Sequence, residues 1–375
     1  MKGLKTGRRA VELTFIVITV VMALMLVAAA WGGLVPPASS RMMPLLTLAM
    51  PIVLAFNVLI AVVWLLMLQW KQALLPVVAI AISWSPVTTV CPVNLSSQNF
   101  DGKHAFKVMT FNVANFGPYD PSNHNPSPSM RYILDQNADF VLLQEGSQER
   151  DYLRLSNVEM MRQELESKYP YHSNGNRDLM ILSKFPYTVV PDSAFDKNAA
   201  TREVSAFVKA FDIILPGDKQ LRIVSMHLRS IGMGESDKDL YDSITRHGVD
   251  VNKRSELSRI KHSLLAKLTR AFEHHAQESS VVRALIDKSP GNVIVCGDFN
   301  EAPSSYCYRT IAGDDLHDTF QECGAGYTYT FHDRRLLFKI DHILYRGDLQ
   351  AVAWKRDKAG DSDHYPQVAT FVWKK

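Results

Sequence analysis

Eight polar residues stand at the ends of apolar, strand-like runs in this 375-residue chain. Asn112 closes FKVMTFN, Glu145 follows DFVLLQ and His227 closes RIVSMH. Asp298 and Asn300 end VIVCGDFN, Asp341 opens DHILY, and Asp363 and His364 lie in SDHYP. Any one of them is ordinary turn or cap chemistry. Repeated on strand after strand, the pattern marks a site gathered at the ends of a rigid scaffold. Carboxylates and carboxamides without thiolates suit a hard, oxygen-liganded cation such as Mg2+ or Mn2+. Glu145 is the first candidate ligand and Asp363 a second. Asp341 and His364 bracket the last hairpin-like unit, where a carboxylate can orient an imidazole for proton transfer. A cation on phosphoryl oxygens, an activated water and donors for developing charge are the parts that hydrolyse a phosphate ester.

The elements that must position these residues alternate between strand and helix. Strand-like runs lie at 106–116, 139–146, 179–186, 204–214, 220–230, 293–300, 339–347 and 367–373. Between them the spacing predicts helices at MRYILDQNA, at about 157–168 and, strongly amphipathic, at about 253–274. The strand at 293–300 reads as broken by Gly297. Residues 106–375 are thus expected to form an α/β domain large enough to bury a two-sheet core.

The ordered runs TFNVAN (110–115), LLQEG (142–146), SMHLRS (225–230), GDFNEAP (297–303), KIDHILY (339–345) and SDHYP (362–366) resemble the endonuclease/exonuclease/phosphatase superfamily, with its DNase I-like fold. The resemblance spans about 106–375 and implies a four-layer α/β sandwich, two mixed β-sheets flanked by helices, with the site at one end. It also implies roles. Glu145 resembles the metal-binding glutamate, with Asn112 helping to hold metal or phosphate and Asp363 contacting the metal. His227 resembles the histidine that hydrogen-bonds the scissile phosphate. Asp298 and Asn300 resemble the pair that positions the attacking water and the phosphate, while Phe299 between them points into the core. Asp341 resembles the partner of His364, and His364 the general base or the group that stabilises the transition state.

The first 91 residues have a different character. They hold six of the 41 basic residues and one of the 38 acidic ones, which leaves the remainder with 35 and 37. Such a balance argues against non-specific nucleic-acid binding, which draws on a basic excess. The runs 13–31 and 43–68 are each long and apolar enough to cross a bilayer, and 73–90 is a third, weaker candidate carrying Pro76 and Pro86. Residues 1–91 are therefore expected to anchor the chain in a membrane through about three transmembrane helices, with 92–105 as a linker. A cleaved signal peptide is the alternative for the first run. Lysines and arginines ahead of the first span place the N-terminus in the cytoplasm, so three spans would put the catalytic domain outside it and two would leave it inside.

Cys91, Cys296, Cys307 and Cys323 lack metal-type spacing, and unpaired thiols are expected. The stretch after His227 is a solvated loop or a recognition flap, with Arg229, Lys238, Arg246, Lys253 and Arg254 as phosphate partners. Arg177 in NGNRDLM is a second such candidate. Together these readings anticipate a membrane-tethered, divalent-metal-dependent phosphodiesterase or phosphatase acting on a lipid head-group or small phosphoester. An extracytoplasmic nuclease and a non-catalytic domain of the same fold are the alternatives. The latter would be expected to lack one of Glu145, Asp298, Asn300, Asp341 and His364, and all five are present. A pore built from the spans is disfavoured, because the apolar runs carry no charge.

Overall fold

The computed structural model describes residues 2–94, 105–116, 127–146, 159–173, 178–191, 207–232, 254–333 and 336–374. The N-terminal part forms five helices: α1 (Lys2–Trp31), α2 (Met42–Leu48), α3 (Met50–Leu66), α4 (Trp70–Ile82) and α5 (Trp84–Val90). The segment Arg9–Leu34 is long and apolar enough to cross a membrane, consistent with a membrane anchor. The second and third runs are not straight spans as the sequence suggested. The pair α2 and α3 is bent by 61°, and α4 and α5 by 75°. The second break falls at Ser83, between the two prolines of that run. The helices are joined by polar contacts suited to an apolar surrounding: Trp64 Nε1 donates to Thr19 Oγ1 at 2.9 Å, and Asn57 Nδ2 to the Met22 carbonyl at 2.9 Å.

Residues 106–374 hold two six-stranded sheets. The first contains β1 (Phe106–Asn112), β2 (Phe140–Gln144), β3 (Tyr171–His172), β4 (Met180–Ser183), β11 (Leu349–Arg356) and β12 (Gln367–Trp373), in the order β11-β12-β1-β2-β4-β3. The second contains β5 (Tyr187–Val189), β6 (Val208–Leu215), β7 (Lys219–His227), β8 (Val293–Asp298), β9 (His317–Asp318) and β10 (Asp341–Arg346), in the order β5-β6-β7-β8-β10-β9. Helices α6 (Pro128–Gln136) and α7 (Glu159–Lys168) belong to the side of the first sheet. Helices α8 (Arg254–Asp287) and α9 (Tyr306–Ala312) belong to the second, and the short α10 (Thr319–Cys323) follows β9.

The period of two along each strand builds three hydrophobic layers. Phe106, Val108, Leu142, Ile223, Ile294, Cys296 and Ile343 fill the space between the sheets. Met109, Phe111, Val141 and Leu143 face outward onto Ile133, Leu134 and Leu165 of the first helical layer. Val224, Val293 and Val295 face Val282, Leu285, Ile286 and Ile311 of the second. Each such fully buried side chain stabilises the fold by about 1.5–3 kcal/mol. The result is the four-layer α/β sandwich expected.

Three local expectations change. Strand β8 is not broken at Gly297 but runs through it, because the glycine lets β8 lie against β7. Its φ is +141°, and a Cβ there would sit 1.9 Å from the Met226 carbonyl oxygen. The long helix ends at Asp287 rather than near His274. Its serines and valines are weak helix formers, but Val282, Leu285 and Ile286 pack on the second sheet and hold it helical. Strand β11 escaped the sequence pattern because a bulge between Ala351 and Ala353 interrupts its alternation.

Helices and sandwich are joined closely. Arg309 donates to the Ala30 carbonyl at 3.2 Å and lies over the Trp31 ring at 5.4 Å. Gly33 meets the sandwich so tightly that a Cβ would fall 2.0 Å from the Ser304 carbonyl oxygen. The first residues of the stretch read as linker are pinned too: Asn94 Nδ2 donates to the Gln321 and Gly324 carbonyls at 2.9 and 2.8 Å. The remainder, 95–104, lies outside the described residues.

Candidate active site

The rows that fill the core between the sheets also lead to the site. On β1 the inward residues are Phe106, Val108 and then, in step, Thr110 and Asn112. On β7 they are Leu221, Ile223, Ser225 and His227, on β8 Ile294, Cys296 and Asp298, and on β10 Tyr345, Ile343 and Asp341. At one end of the sandwich the hydrophobic row thus gives way to polar groups on every central strand. Register brings them together, since Asp298 pairs with His227 on one side and with Asp341 on the other.

Two of the expected site residues, each just past a strand end, have left-handed backbones. Glu145 follows β2 with φ +51°, and Asn300 follows β8 with φ +49°. Such conformations cost of order 1 kcal/mol for a residue with a Cβ and collect at functional sites. Here they turn the chain sharply enough to bring the side chains back over the sheet ends. The Asn300 amide donates to Asp298 Oδ1 at 2.8 Å, and its Nδ2 donates to the Leu228 carbonyl at 2.9 Å.

Asn112 Nδ2 donates to both Glu145 Oε1, at 3.0 Å, and Asp298 Oδ2, at 3.1 Å. His227 Nε2 is buried without a hydrogen-bond partner and stands 3.7 Å from the same Glu145 oxygen and 3.8 Å from the same Asp298 oxygen. Across the site His364 Nδ1 bonds Asp341 Oδ2 at 2.9 Å, while its Nε2 stands 3.7 Å from Asp298 Oδ2. Asp298, Asp341 and His364 are all buried, and their ligand-type atoms lie within 4.8 Å of one another.

The electrostatics follow from this crowding. Burial alone would lower the His364 pKa, but the carboxylates of Asp341 and Asp298 raise it to about 10. Burial raises Asp341 as well, yet the charge and hydrogen bond of His364 hold it below the ordinary carboxylate value. Asp298 lies above that value, first through burial and then through repulsion from Asp341. His364 and Asp341 therefore form an imidazolium–carboxylate pair at neutral pH, with Asp298 as the more basic of the two aspartates.

Glu145, His227, Asp298, Asn300, Asp363 and His364 line one cavity of about 280 Å³, with Asn112 and Asp341 behind its wall. All eight expected residues thus converge. Among the phosphate-partner candidates, Arg177, Lys238, Arg246 and Lys253 lie outside the described residues, as does the side chain of Arg254. Arg229 is exposed and stands 3.8 Å from Glu278. The described cysteines are all free, as expected.

Several supporting residues were not singled out by the sequence, although Ser362 and Glu301 lie in its SDHYP and GDFNEAP runs. Thr330 Oγ1 accepts from the Asp341 amide at 3.1 Å, and Ser362 Oγ ties the His364 amide (3.0 Å) to the Asn112 carbonyl (2.7 Å). Buried His275 bonds Glu301 through Nδ1 at 2.9 Å and donates from Nε2 to the Arg229 carbonyl. Both of its partners are acceptors, so this imidazole is doubly protonated; burial opposes the charge, and Glu301 more than offsets it. Through this pair the turn after β8 fixes the segment after His227.

A match to the Endonuclease/Exonuclease/phosphatase family model covers residues 109–364. The chain belongs to this family. Residues 12–90 match a second model, a domain of unknown function. Curated protein sequences contain no match. Among solved structures, an endonuclease/exonuclease/phosphatase from Bacteroides vulgatus is 15% identical with a TM-score of 0.47, covering 72% of this chain and all of its own. Truncated Caenorhabditis elegans TDP2 is 17% identical with a TM-score of 0.43, covering 73% of this chain and all of its own. Sphingomyelinase C from Streptomyces griseocarneus is 17% identical with a TM-score of 0.40, covering 71% of this chain and 99% of its own. The family's name covers enzymes that hydrolyse phosphoesters, and the chain is read in that class.

Proposed function

We propose that this protein is a membrane-anchored, divalent-metal-dependent hydrolase that cleaves a phosphoester by attack of an activated water. The observation that carries the proposal is the meeting of Glu145, His227, Asp298 and His364 at one end of the core, around one cavity. Glu145 and Asp298 point oxygens at a single Asn112 amide and at the unpartnered His227 Nε2. Converging carboxylates repel one another, and with no thiolate among the described residues of the cavity wall the donor set fits Mg2+ or Mn2+. Glu145 is the residue that would hold the ion, with Asp363 on the same wall as a second ligand and Asn112 fixing Glu145 in place. When bound, the ion neutralises phosphoryl charge and polarises the phosphorus centre.

The remaining roles belong to the chain. Asp298, with its raised pKa and two amide donors, orients the attacking water and accepts its proton. The His227 Nε2 donates to a phosphoryl oxygen, which gives this buried nitrogen a partner. The His364 imidazolium, held by Asp341, faces the charge that develops on the phosphoryl group.

We further infer an extracytoplasmic orientation for the sandwich. The end of α1, the α2–α3 bend and α5 all reach the sandwich, through Ala30, Leu48 and Pro86. The turn between α3 and α4, with Lys71, therefore lies at the far end, together with Lys2, Lys5, Arg8 and Arg9. By the positive-inside rule, positive charge concentrated at that end supports a reading in which it faces the cytoplasm and the sandwich lies on the other side. Counting each bent pair as one span gives the three crossings this requires.

Full-length protein in detergent should be assayed on bis-p-nitrophenyl phosphate and on plasmid DNA, in EDTA and with Mg2+. Mg2+-dependent cleavage of the small diester, faster than that of DNA, is the expected result. Preferential DNA cleavage would replace the proposal with a nuclease.

A further inference from the structure

The cavity holding the catalytic groups has an unusual wall for an enzyme of charged substrates. Its rim is apolar, formed by Ile231, Leu268, Phe272, Phe331, Leu336 and Phe338, and it includes Leu48, which comes from the N-terminal helices. Among the described residues no lysine or arginine lines it. At Leu48 and Phe338 it meets a second hollow of about 770 Å³, which shares both residues. That hollow runs down the flank of α3 past Ile52, Phe56 and Leu59, and the sandwich closes its other side with Tyr327 and Leu337.

These wall residues are large, apolar and open. Ile52 is 63% exposed, Phe56 51%, Leu59 55% and Leu337 42%. On α3 such exposure is what a membrane helix presents to lipid. On Leu337 and Tyr327, which belong to the catalytic half, lipid contact needs a separate reason. From Ile52 to Leu59 the helix rises roughly 10 Å, most of the roughly 15 Å of hydrocarbon in one leaflet.

We infer that the substrate is a membrane lipid phosphoester that enters sideways from the bilayer. Its hydrocarbon tail lies between α3 and the wall formed by Tyr327 and Leu337, and its phosphoester reaches Glu145, His227 and Asp298 past Leu48 and Phe338. The border that the two hollows share at Leu48 and Phe338 favours this occupant, since a molecule reaching across both must be charged at one end and apolar along the rest. The inference rests on the phosphoesterase reading and adds the class of substrate to it. It also gives the tight joint at Gly33 and Arg309 a purpose, because the trough exists only while the sandwich is held against the helices.

The test uses the full chain in phosphatidylcholine vesicles with Mg2+. Two diesters with the same reporter group are compared: a long-chain alkyl p-nitrophenyl phosphate in the bilayer and bis-p-nitrophenyl phosphate in solution. Filling the trough with Ile52→Trp plus Leu59→Trp should lower the ratio of alkyl-diester to soluble-diester turnover at least about tenfold, and Leu337→Glu on the opposite wall should do the same. Turnover of the soluble diester reports that each variant is folded. A ratio unchanged in both variants would overturn the lipid inference while leaving the phosphoesterase intact. Absence of turnover on either diester by the unaltered protein would overturn the phosphoesterase reading and this inference with it.

Discussion

Replacing Asp341 by Asn removes the nearest charge from His364 and almost no volume. In the native site the two are 2.9 Å apart and buried, and the imidazolium persists to about pH 10. An opposite charge at such range moves a pKa by about 1–3 units. Asp298, with Oδ2 3.7 Å from Nε2, remains to supply the rest. If His364 works as the imidazolium, kcat/KM falls as pH rises through its pKa, and the positive charge of a bound cation places that limb below 10. In Asp341→Asn the limb should move down by about 1–3 units, and the rate below it should drop by about 10²–10⁴ as the ring loses its orientation. His364→Ala should abolish the limb. The double variant should be far less impaired than the product of the singles, because the pair acts as a unit. The assay is kcat/KM against pH on a small diester for all four proteins. A wild-type limb that instead rises with pH through this region and shifts with Asp341→Asn would make neutral His364 the base and refute the reasoning. Fully multiplicative losses would show that the two residues are not a functional pair. The same shift has a sign for stability: a raised histidine pKa contributes fully below its ordinary 6.5, and that contribution is lost as pH rises toward about 10.

Three further outcomes are expected. Glu145→Gln should raise the Mg2+ concentration needed for half-maximal activity by at least about tenfold, read from a metal titration after EDTA treatment; an unchanged titration would remove Glu145 from the ion. Gly297→Ala should destabilise the protein by about 3 kcal/mol or more, since its Cβ meets the Met226 carbonyl oxygen and its φ is left-handed; denaturant unfolding of the detergent-solubilised protein measures this, and a change under about 0.5 kcal/mol would contradict the close packing of β7 on β8. A C-terminal alkaline phosphatase fusion should be active and a C-terminal green fluorescent protein fusion dark, the reverse pattern placing the sandwich in the cytoplasm.

What the sequence made legible, and what it hid, divides along a physical line. Asn112, His227, Asp298 and Asp341 could be found because a period of two places them in the same row as buried hydrophobic residues, where an unpaired polar group would be costly. The strands followed from the same alternation and the outer helices from helical spacing of apolar residues, while the two-sheet sandwich was implied by the resemblance. The supporting roles of Thr330 and His275 were invisible, since they act through contacts that no local pattern encodes, while Ser362 and Glu301 lay in the SDHYP and GDFNEAP runs without their contacts being readable. The left-handed turns at Glu145 and Asn300 fall on those residues themselves, although Gly146 and Gly297 lie nearby. The bend at Ala49 interrupts a run that hydropathy alone reads as continuous, whereas Pro76 and Pro86 already marked the run that bends at Ser83. The trough is the furthest from view, because Leu48 and Phe338 belong to halves of the chain that composition separates.

The central claim is that a water activated in this site attacks phosphorus, and isotope transfer tests it most directly. Full-length protein should hydrolyse bis-p-nitrophenyl phosphate in ¹⁸O-labelled water with Mg2+ present, and the p-nitrophenyl phosphate product should be analysed by mass spectrometry. The account predicts one labelled oxygen in the phosphate product, none in the released phenol, and loss of the reaction in EDTA and in Asp298→Asn. Label in the phenol, or undiminished turnover in EDTA, would contradict it.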